Sequence, residues 1–332
     1  MNVEELSLSE WDEYLPASGV EVFHTTPALR VLNQHARGRL RLFGGFKGDS
    51  PVALCPVFEQ QRRPGRLVVS PPPSMGVHRL GPVLMPNSPK RRTAELVNRR
   101  FVEGLLDTLD ADTSLTLFRI VCSADYTDPR PFLWRGFDLQ PRFTYVLDLA
   151  DVTPEEAMQP FSKSLRREID EDVDVTIDVE GRAGAREICE SVADRYDEQD
   201  EPSPLQWPFV RDLVGALDEA CRIYVARDAD GDYLSGMLVL VSDGTAYYWQ
   251  GGASATYDGV SVNTLLHWRV IRDVIDAPEL SDVTQYDLVG ANTERICEYK
   301  RKFGGRLVPY YTVESGGIGM ELAKSAYRLV AR

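Results

Sequence analysis

Two basic stretches stand out in a chain that is otherwise acidic. Lys163, Arg166 and Arg167 recur at i, i+3 and i+4, so on a helix they share one face. Lys300, Arg301, Lys302 and Arg306 put four positive charges within seven residues. Such clusters hold phosphate groups, whether of a nucleotide-linked or lipid-linked acceptor or of a tRNA, through charge-assisted hydrogen bonds. The alternative for the first cluster is pairing along its own helix with Glu168, Asp170 or Glu171. Asp287, in Tyr286-Asp287-Leu288-Val289-Gly290, stands at the end of the strand that follows the long helix. A carboxylate there can take a proton from an attacking amine, cap the turn or pair with Lys300. Tyr248 and Gln250 alternate along one apolar run and Asn263 opens the next; they line a cleft or pack into the core.

The rest of the composition narrows the field. With 332 residues and 43% apolar content, the chain has material for two domains and is not globally disordered. Its 51 acidic residues outweigh 37 basic ones for a net charge of −14, and the basic set is 31 Arg to 6 Lys. This excludes a generic nucleic-acid coat, which needs a broad positive field. It fits a halophilic protein of haloarchaeal type, because at molar salt the Debye length falls to about 3 Å and a carpet of carboxylates repels itself little. An ordinary acidic cytosolic protein is the alternative. Cys55, Cys122, Cys189, Cys221 and Cys297 never fall in CxxC spacing, and the four histidines are scattered, so no metal site or disulfide framework is expected. No HExxH, GxSxG or GxxxxGK[ST] occurs, which leaves zincins, hydrolase triads and P-loop NTPases unsupported. The acidic start MNVEELSLSEWDEYL is no signal peptide, and the longest apolar run, Met237 to Val241, is far too short for a bilayer. A cytoplasmic protein without membrane insertion is expected.

The elements that must carry these residues read as two similar series. In the first, a helix opens at Thr25-Thr26-Pro27, followed by a hairpin over Leu40–Phe46 and Val52–Phe58. A Pro- and Gly-rich loop with a strand near Leu67–Ser70, a helix over Thr93–Asp110 and strands at Ser114–Val121 and Arg142–Leu149 complete it. In the second, a helix starts at Thr153-Pro154 with Glu155 and Glu156 in its first turn and runs to about Glu171. A strand at Val173–Val179 and helices at 183–198 and 206–220 follow. The meander Arg222–Arg227, Tyr233–Ser242 and Thr245–Gly251 turns at Asp/Gly clusters. Then come a helix (Val260–Ile275), a strand (Gln285–Val289), a helix (Thr293–Lys302), a strand (Leu307–Val313) and a short helix over Met320–Val330. The expectation is an α/β (α+β) fold in two units, 1–150 and 151–332, each a mixed, mostly antiparallel sheet flanked by helices.

Four segments resemble the Fem-type aminoacyltransferases, which carry two GNAT-like domains in tandem. They are Val22 to Leu29, the junction from Gly136-Phe137 to Arg142–Leu149, Phe161 to Ile169, and Tyr286 to Ala291 followed by Tyr299-Lys300-Arg301-Lys302-Phe303-Gly304-Gly305. The resemblance spans nearly the whole chain in the family's order, and Leu29 departs from it where relatives often carry Trp. It implies that the second domain is the active half and that Lys300 is the leading catalytic candidate, stabilising developing negative charge, with Asp287 beside it. It puts Arg301, Phe303 and Gly304 at the substrate, and Lys163, Arg166 and Arg167 by their charge and Tyr248, Gln250 and Asn263 by their alternation join them as candidate substrate-binding residues.

In a GNAT fold the turn before the long helix binds the pyrophosphate of coenzyme A through free backbone amides. The matching stretch is Thr256-Tyr257-Asp258-Gly259-Val260-Ser261. Gly259 is the expected glycine, Tyr257 and Ser261 flank it, the opening Arg or Gln is absent, and Asp258 adds a negative charge that opposes a pyrophosphate. The resemblance therefore implies transfer of an activated acyl or aminoacyl group to an amine, with an aminoacyl-tRNA as donor. A coenzyme A-dependent N-acetyltransferase using acetyl-CoA and a non-catalytic binding module are the alternatives.

Overall fold

In a computed structural model the chain is described for residues 1–316, apart from 64, 114, 198–202 and 204; the helix expected at Met320–Val330 lies outside the described residues. The first elements are β1 (Asn2–Leu6), α1 (Leu8–Tyr14), α2 (Thr26–His35), β2 (Arg39–Lys47), β3 (Ser50–Arg62), β4 (Gly65–Ser70), β5 (Val83–Leu84), α3 (Arg91–Thr108), β6 (Thr116–Val121), α4 (Arg130–Trp134) and β7 (Asp138–Asp148). They are followed by α5 (Pro154–Met158), α6 (Lys163–Asp170), β8 (Thr176–Glu180), α7 (Arg182–Asp197), α8 (Trp207–Leu217), β9 (Cys221–Arg227), β10 (Tyr233–Ser242) and β11 (Thr245–Gly251). The last are β12 (Thr256–Tyr257), β13 (Val260–Ser261), α9 (Val262–Asp276), β14 (Gln285–Asp287), α10 (Glu294–Lys300) and β15 (Arg306–Glu314).

These elements form two compact units, one of residues 1–73, 77–142 and the segment from Pro309, the other of residues 74–76 and 143–308. In the first unit β1, β2, β3 and β4 pair antiparallel in sequence, β4 pairs parallel with β6, and β6 pairs antiparallel with β15. The parallel step requires a crossover, which α3 supplies. Phe101, Val102, Leu105 and Leu106 of α3 pack there with Phe43, Val57, Val68, Phe118 and Val313.

The second unit repeats the plan. β8, β9, β10 and β11 form an antiparallel run, β11 pairs parallel with β14 across α9, and β14 pairs antiparallel with residues 146–148 of β7. The turn between β10 and β11 is Asp243-Gly244, both at positive φ (46° and 70°), the hairpin geometry that Asp-Gly favours. Leu266, Val270, Ile271 and Val274 of α9 face Tyr224, Met237, Val239 and Tyr286 of the sheet. Both units thus have a mixed, mostly antiparallel sheet flanked by helices.

Two local features differ from the sequence reading. The helix expected from Thr153 to Glu171 is two helices. Thr153 caps α5 in a reciprocal capping box with Glu156, and the chain then breaks at Pro160. The break drives Phe161 into the core, edge-on to Phe303 at 5.4 Å, and Ser162 caps α6 by accepting from the Leu165 amide. The N-terminal α1 was not anticipated, although Ser7 and Glu10 carry the S-x-x-E capping signature and satisfy each other's backbone amides.

Candidate functional site

Strand β14 delivers Asp287 to the end of the sheet, and the chain turns at once. Val289 (φ 46°) and Gly290 (φ 75°) both take left-handed conformations, which costs a β-branched valine on the order of 1–2 kcal/mol. The turn is held by two groups. Asp287, 2% exposed, accepts from the Val289 amide at 2.8 Å and from the Thr144 hydroxyl on β7. Lys300, 7% exposed at the end of α10, donates to the carbonyls of Leu288, Val289 and Gly290. An ammonium has three donors, and three carbonyls take them.

Burial pulls the Lys300 ammonium down to about 8, against the opposing pull of the Asp287 carboxylate. Lys300 Nζ also lies 5.4 Å from the centre of the Tyr248 ring. Around it stands an aromatic cluster in which the sequence reading picked out Tyr248 and Phe303 but not His267. His267 contacts Tyr248 at 4.7 Å and Phe303 at 5.0 Å, ring centre to ring centre, and its Nδ1 is 2.8 Å from the Tyr286 hydroxyl. Burial, and after it the charge of Lys300, pushes His267 down to about 3, so the imidazole is neutral; burial pushes the Tyr248 hydroxyl up to about 12. The signal for His267 was its place between Leu266 and Val270 on the buried face of α9.

The remaining expected residues fall into three places. Phe303 is fully buried and Gly304 (φ 68°) closes the turn after α10, where a Cβ would come within 2.5 Å of Pro160 Cβ. Both shape the scaffold beneath Lys300. Tyr248, Gln250 and Asn263 are half-buried: the Gln250 amide lies against Gly76, and the Asn263 side-chain oxygen accepts from Ser235 at 3.4 Å. Lys163, Arg166, Arg167, Arg301 and Lys302 are exposed, and among the described residues none makes an ion pair or a side-chain hydrogen bond. The intrahelical pairing of Arg166 and Arg167 with Glu168, Asp170 or Glu171 does not form. The backbone joins the two basic stretches, because the Ser162 amide donates to the Lys302 carbonyl at 2.8 Å.

The donor turn forms a small hairpin, β12 to β13, with Asp258 (φ 47°) and Gly259 (φ 81°) at its tip. Its fit to a pyrophosphate can be tested on the first turn of α9. The Val262 amide is engaged by Ala255 O at 3.1 Å and the Thr264 amide by the Ser261 hydroxyl at 3.4 Å. The Thr264 hydroxyl donates to Glu168 Oε2 at 2.7 Å, so a carboxylate of the chain already sits at the positive end of the helix. Burial, and after it the carboxylates of Asp258, Asp228, Asp174 and Asp230, raises the Tyr257 hydroxyl above its usual value. The two engaged amides and the surrounding carboxylates oppose a coenzyme A pyrophosphate at this turn.

Residues 161–301 match the family model described as an acetyltransferase (GNAT) domain. Among solved structures the chain is similar to FemX (12% identity, TM-score 0.66, covering 94% of this chain and 97% of that one). It is also similar to L-PGS from Bacillus licheniformis (13%, 0.58, covering 99% and 98%) and to a tandem GNAT protein from the clavulanic acid biosynthesis pathway (13%, 0.53, covering 95% and 99%). No curated protein sequence matches. At these identities the likeness is one of fold: two GNAT-like units in tandem.

Proposed function

We propose that the second unit is a cytoplasmic aminoacyl- or acyltransferase that passes an activated group to an amine without coenzyme A, as a Fem-type enzyme does with aminoacyl-tRNA. The observation that carries this reading is the occupied first turn of α9: the fold supports acyl transfer, yet the helix end that would hold the pyrophosphate is engaged by Ala255, Ser261 and Glu168. In the reaction the amine nitrogen bonds to the acyl carbon, the bond from that carbon to the donor oxygen breaks, and the proton lost by nitrogen ends on the leaving alcohol or on solvent. Lys300 acts as a positioning residue. Its three donors hold the 288–290 turn, and its charge lends a positive field to the end of β14. Asp287 fixes the same turn from the other side. The acidic, lysine-poor composition supports activity in molar salt.

Two measurements test the reading. Calorimetric titration with acetyl-CoA is expected to give no stoichiometric binding. Incubation with bulk tRNA charged with radiolabelled amino acids, with hydroxylamine as surrogate amine, is expected to give hydroxamates faster than the uncatalysed reaction. Tight acetyl-CoA binding would overturn the proposal in favour of a coenzyme A-dependent N-acetyltransferase, which the match to the acetyltransferase domain would then carry. Absence of both activities would assign a binding module.

A further inference from the structure

In each unit a short helix follows the crossover and its strand, and the chain then turns at a left-handed glycine, Gly136 (φ 82°) in the first and Gly304 (φ 68°) in the second. Four residues before that glycine one side chain is buried: Phe132 in the first unit, Lys300 in the second. The next two are exposed. They are Arg301 and Lys302 in the second unit, but Leu133 and Trp134 in the first. Leu133 is 52% and Trp134 59% exposed. The element that carries them is firmly seated. Phe132 packs edge-on to Phe137, and Asn98 of α3, itself buried, donates to the Asp128 carbonyl and accepts from the Tyr126 hydroxyl, each at 2.7 Å. The guanidinium carbons of Arg99 and Arg130 lie 5.8 Å and 5.6 Å from the centre of the Trp134 ring. One turn before Arg99 on α3 stands Leu96, 44% exposed, with Arg92 and Arg100 at i−4 and i+4 on the same face. Residues 90–100 hold five cations and one carboxylate, in a chain of net charge −14. Single exposed leucines are ordinary, but an exposed tryptophan, two leucines and a surplus of arginine on two packed helices form a patch.

We infer that this face of the first unit docks on an anionic lipid surface. The inference goes beyond the proposed transfer and does not depend on which donor is used. Each part of the patch has a place at a bilayer surface. Leu96 and Leu133 enter the acyl boundary, the Trp134 ring sits at the headgroup level, and the arginines meet lipid phosphates while their aliphatic stems cover apolar surface. No helix among the described residues is long and apolar enough to cross a membrane, so the contact is peripheral. Charge selects the kind of lipid, because the cation surplus of residues 90–100 is complementary to a negative headgroup and gains nothing from a zwitterionic one. A protein partner fits less well. Arg92 and Arg100 make no ion pair among the described residues, so an interface that buried them would need carboxylates set opposite both. A lipid surface offers phosphates at any register.

The test is cosedimentation of the full chain with vesicles of phosphatidylcholine alone and of equimolar phosphatidylcholine and phosphatidylglycerol. The variants are Leu133→Ser/Trp134→Ser and Arg92→Glu/Arg100→Glu. All four side chains are exposed, so folding is checked by the thermal midpoint, and Val179→Ser/Arg272→Glu on the second unit serves as control. The wild type is expected to bind the mixed vesicles and to bind phosphatidylcholine at least tenfold more weakly. Each test pair is expected to lose at least tenfold on the mixed vesicles, and the control pair nothing. Tryptophan emission supplies a second readout. It should shift to shorter wavelength on the mixed vesicles, and Trp134→Phe, which keeps a ring at that place, should bind without the shift. No binding by the wild type, or equal binding by the test variants, would overturn the inference. Equal binding to both kinds of vesicle would also overturn it, since headgroup charge would then play no part. A wild type that is dimeric by light scattering and becomes monomeric in Leu133→Ser/Trp134→Ser would assign the patch to a second copy of the chain instead. Retention on immobilised polyglutamate without vesicle binding would assign it to an acidic polypeptide.

Discussion

Replacing Lys300 with Met keeps much of the side-chain volume and removes the ammonium. The three carbonyls of residues 288–290 then lose their charged donor in a setting where Leu288 is fully buried and Val289 is 8% exposed. At roughly 2 kcal/mol for each hydrogen bond to a charged group, the loss is about 6 kcal/mol. Against it stands the burial of the ammonium. The drop from 10.5 to about 8 corresponds to about 3 kcal/mol that the methionine does not bear. The balance is a destabilisation of about 3 kcal/mol, read as a lowered urea midpoint at pH 7. Faster amide exchange at Val289 and Gly290 should accompany it, because Val289 keeps its left-handed φ only while the turn is held. The pH dependence has a definite sign. Between pH 8 and 10.5 the unfolded chain holds a proton that folded Lys300 has released, so this group makes the wild type more stable as pH rises through that window, and Lys300→Met loses that slope. A variant as stable as wild type would refute the carbonyl cage. A variant as stable as wild type yet inactive in aminoacyl transfer would show the ammonium acting on substrate instead of on the turn.

Three further perturbations follow from the same geometry. His267 is held neutral with a folded value near 3 against 6.5 in the unfolded chain, so its stabilisation is complete above pH 6.5 and declines as pH falls towards 3. At pH 5 the wild type should have lost about 2 kcal/mol from this group, and His267→Phe should show a correspondingly flatter profile in urea unfolding at pH 7 and pH 5. Gly304→Ala places a Cβ within 2.5 Å of Pro160 Cβ and 2.7 Å of its carbonyl at a φ of 68°, and should lower stability by at least about 2 kcal/mol in thermal unfolding. Glu168→Ala removes the carboxylate beside the first turn of α9 and should cost about 1 kcal/mol. It should still fail to bind acetyl-CoA in calorimetry, because the Val262 and Thr264 amides remain engaged.

Much of the scaffold was legible in the sequence because the signals are local. Asp243-Gly244 announces its hairpin, Thr153 and Glu156 announce their cap, and the apolar stripe of Leu266, Val270 and Val274 announces the buried face of α9. What was not legible depends on distant partners. Nothing in residues 143–148 or 309–314 says which sheet each strand joins, since an alternating strand fits either edge. The break at Pro160 was hidden by apolar periodicity continuing across it, and only Phe161 packing on Phe303 shows why the chain bends there. The site shows the same division. Lys300 was picked out by its neighbours in sequence, but its inward direction follows from the turn at 288–290, while Arg301 and Lys302, one and two residues on, point outward. His267 was passed over because its place on the apolar face of α9 reads as core packing, and its meaning lies in Tyr248, Tyr286 and Phe303 from three other elements.

The charge pattern ties these observations together. A helix N-terminus attracts an anion at little cost in side chains, and a GNAT-like unit has such an end at α9. Here that end is met by Glu168 and surrounded by aspartates, while among the described residues the cations on α6 and after α10 make no ion pair. On the proposed reading, anion recognition falls to guanidinium and ammonium groups instead of backbone amides. The two solutions differ in reach. A pair of amides fixes one pyrophosphate at one spot, whereas side chains spread over α6 and the 295–302 segment can follow a longer, less regular anion. In strong salt, where steering over more than about 3 Å is screened, the second solution still works through direct contact. The proposed donor, carried outside coenzyme A, is consistent with that division between the two helix ends.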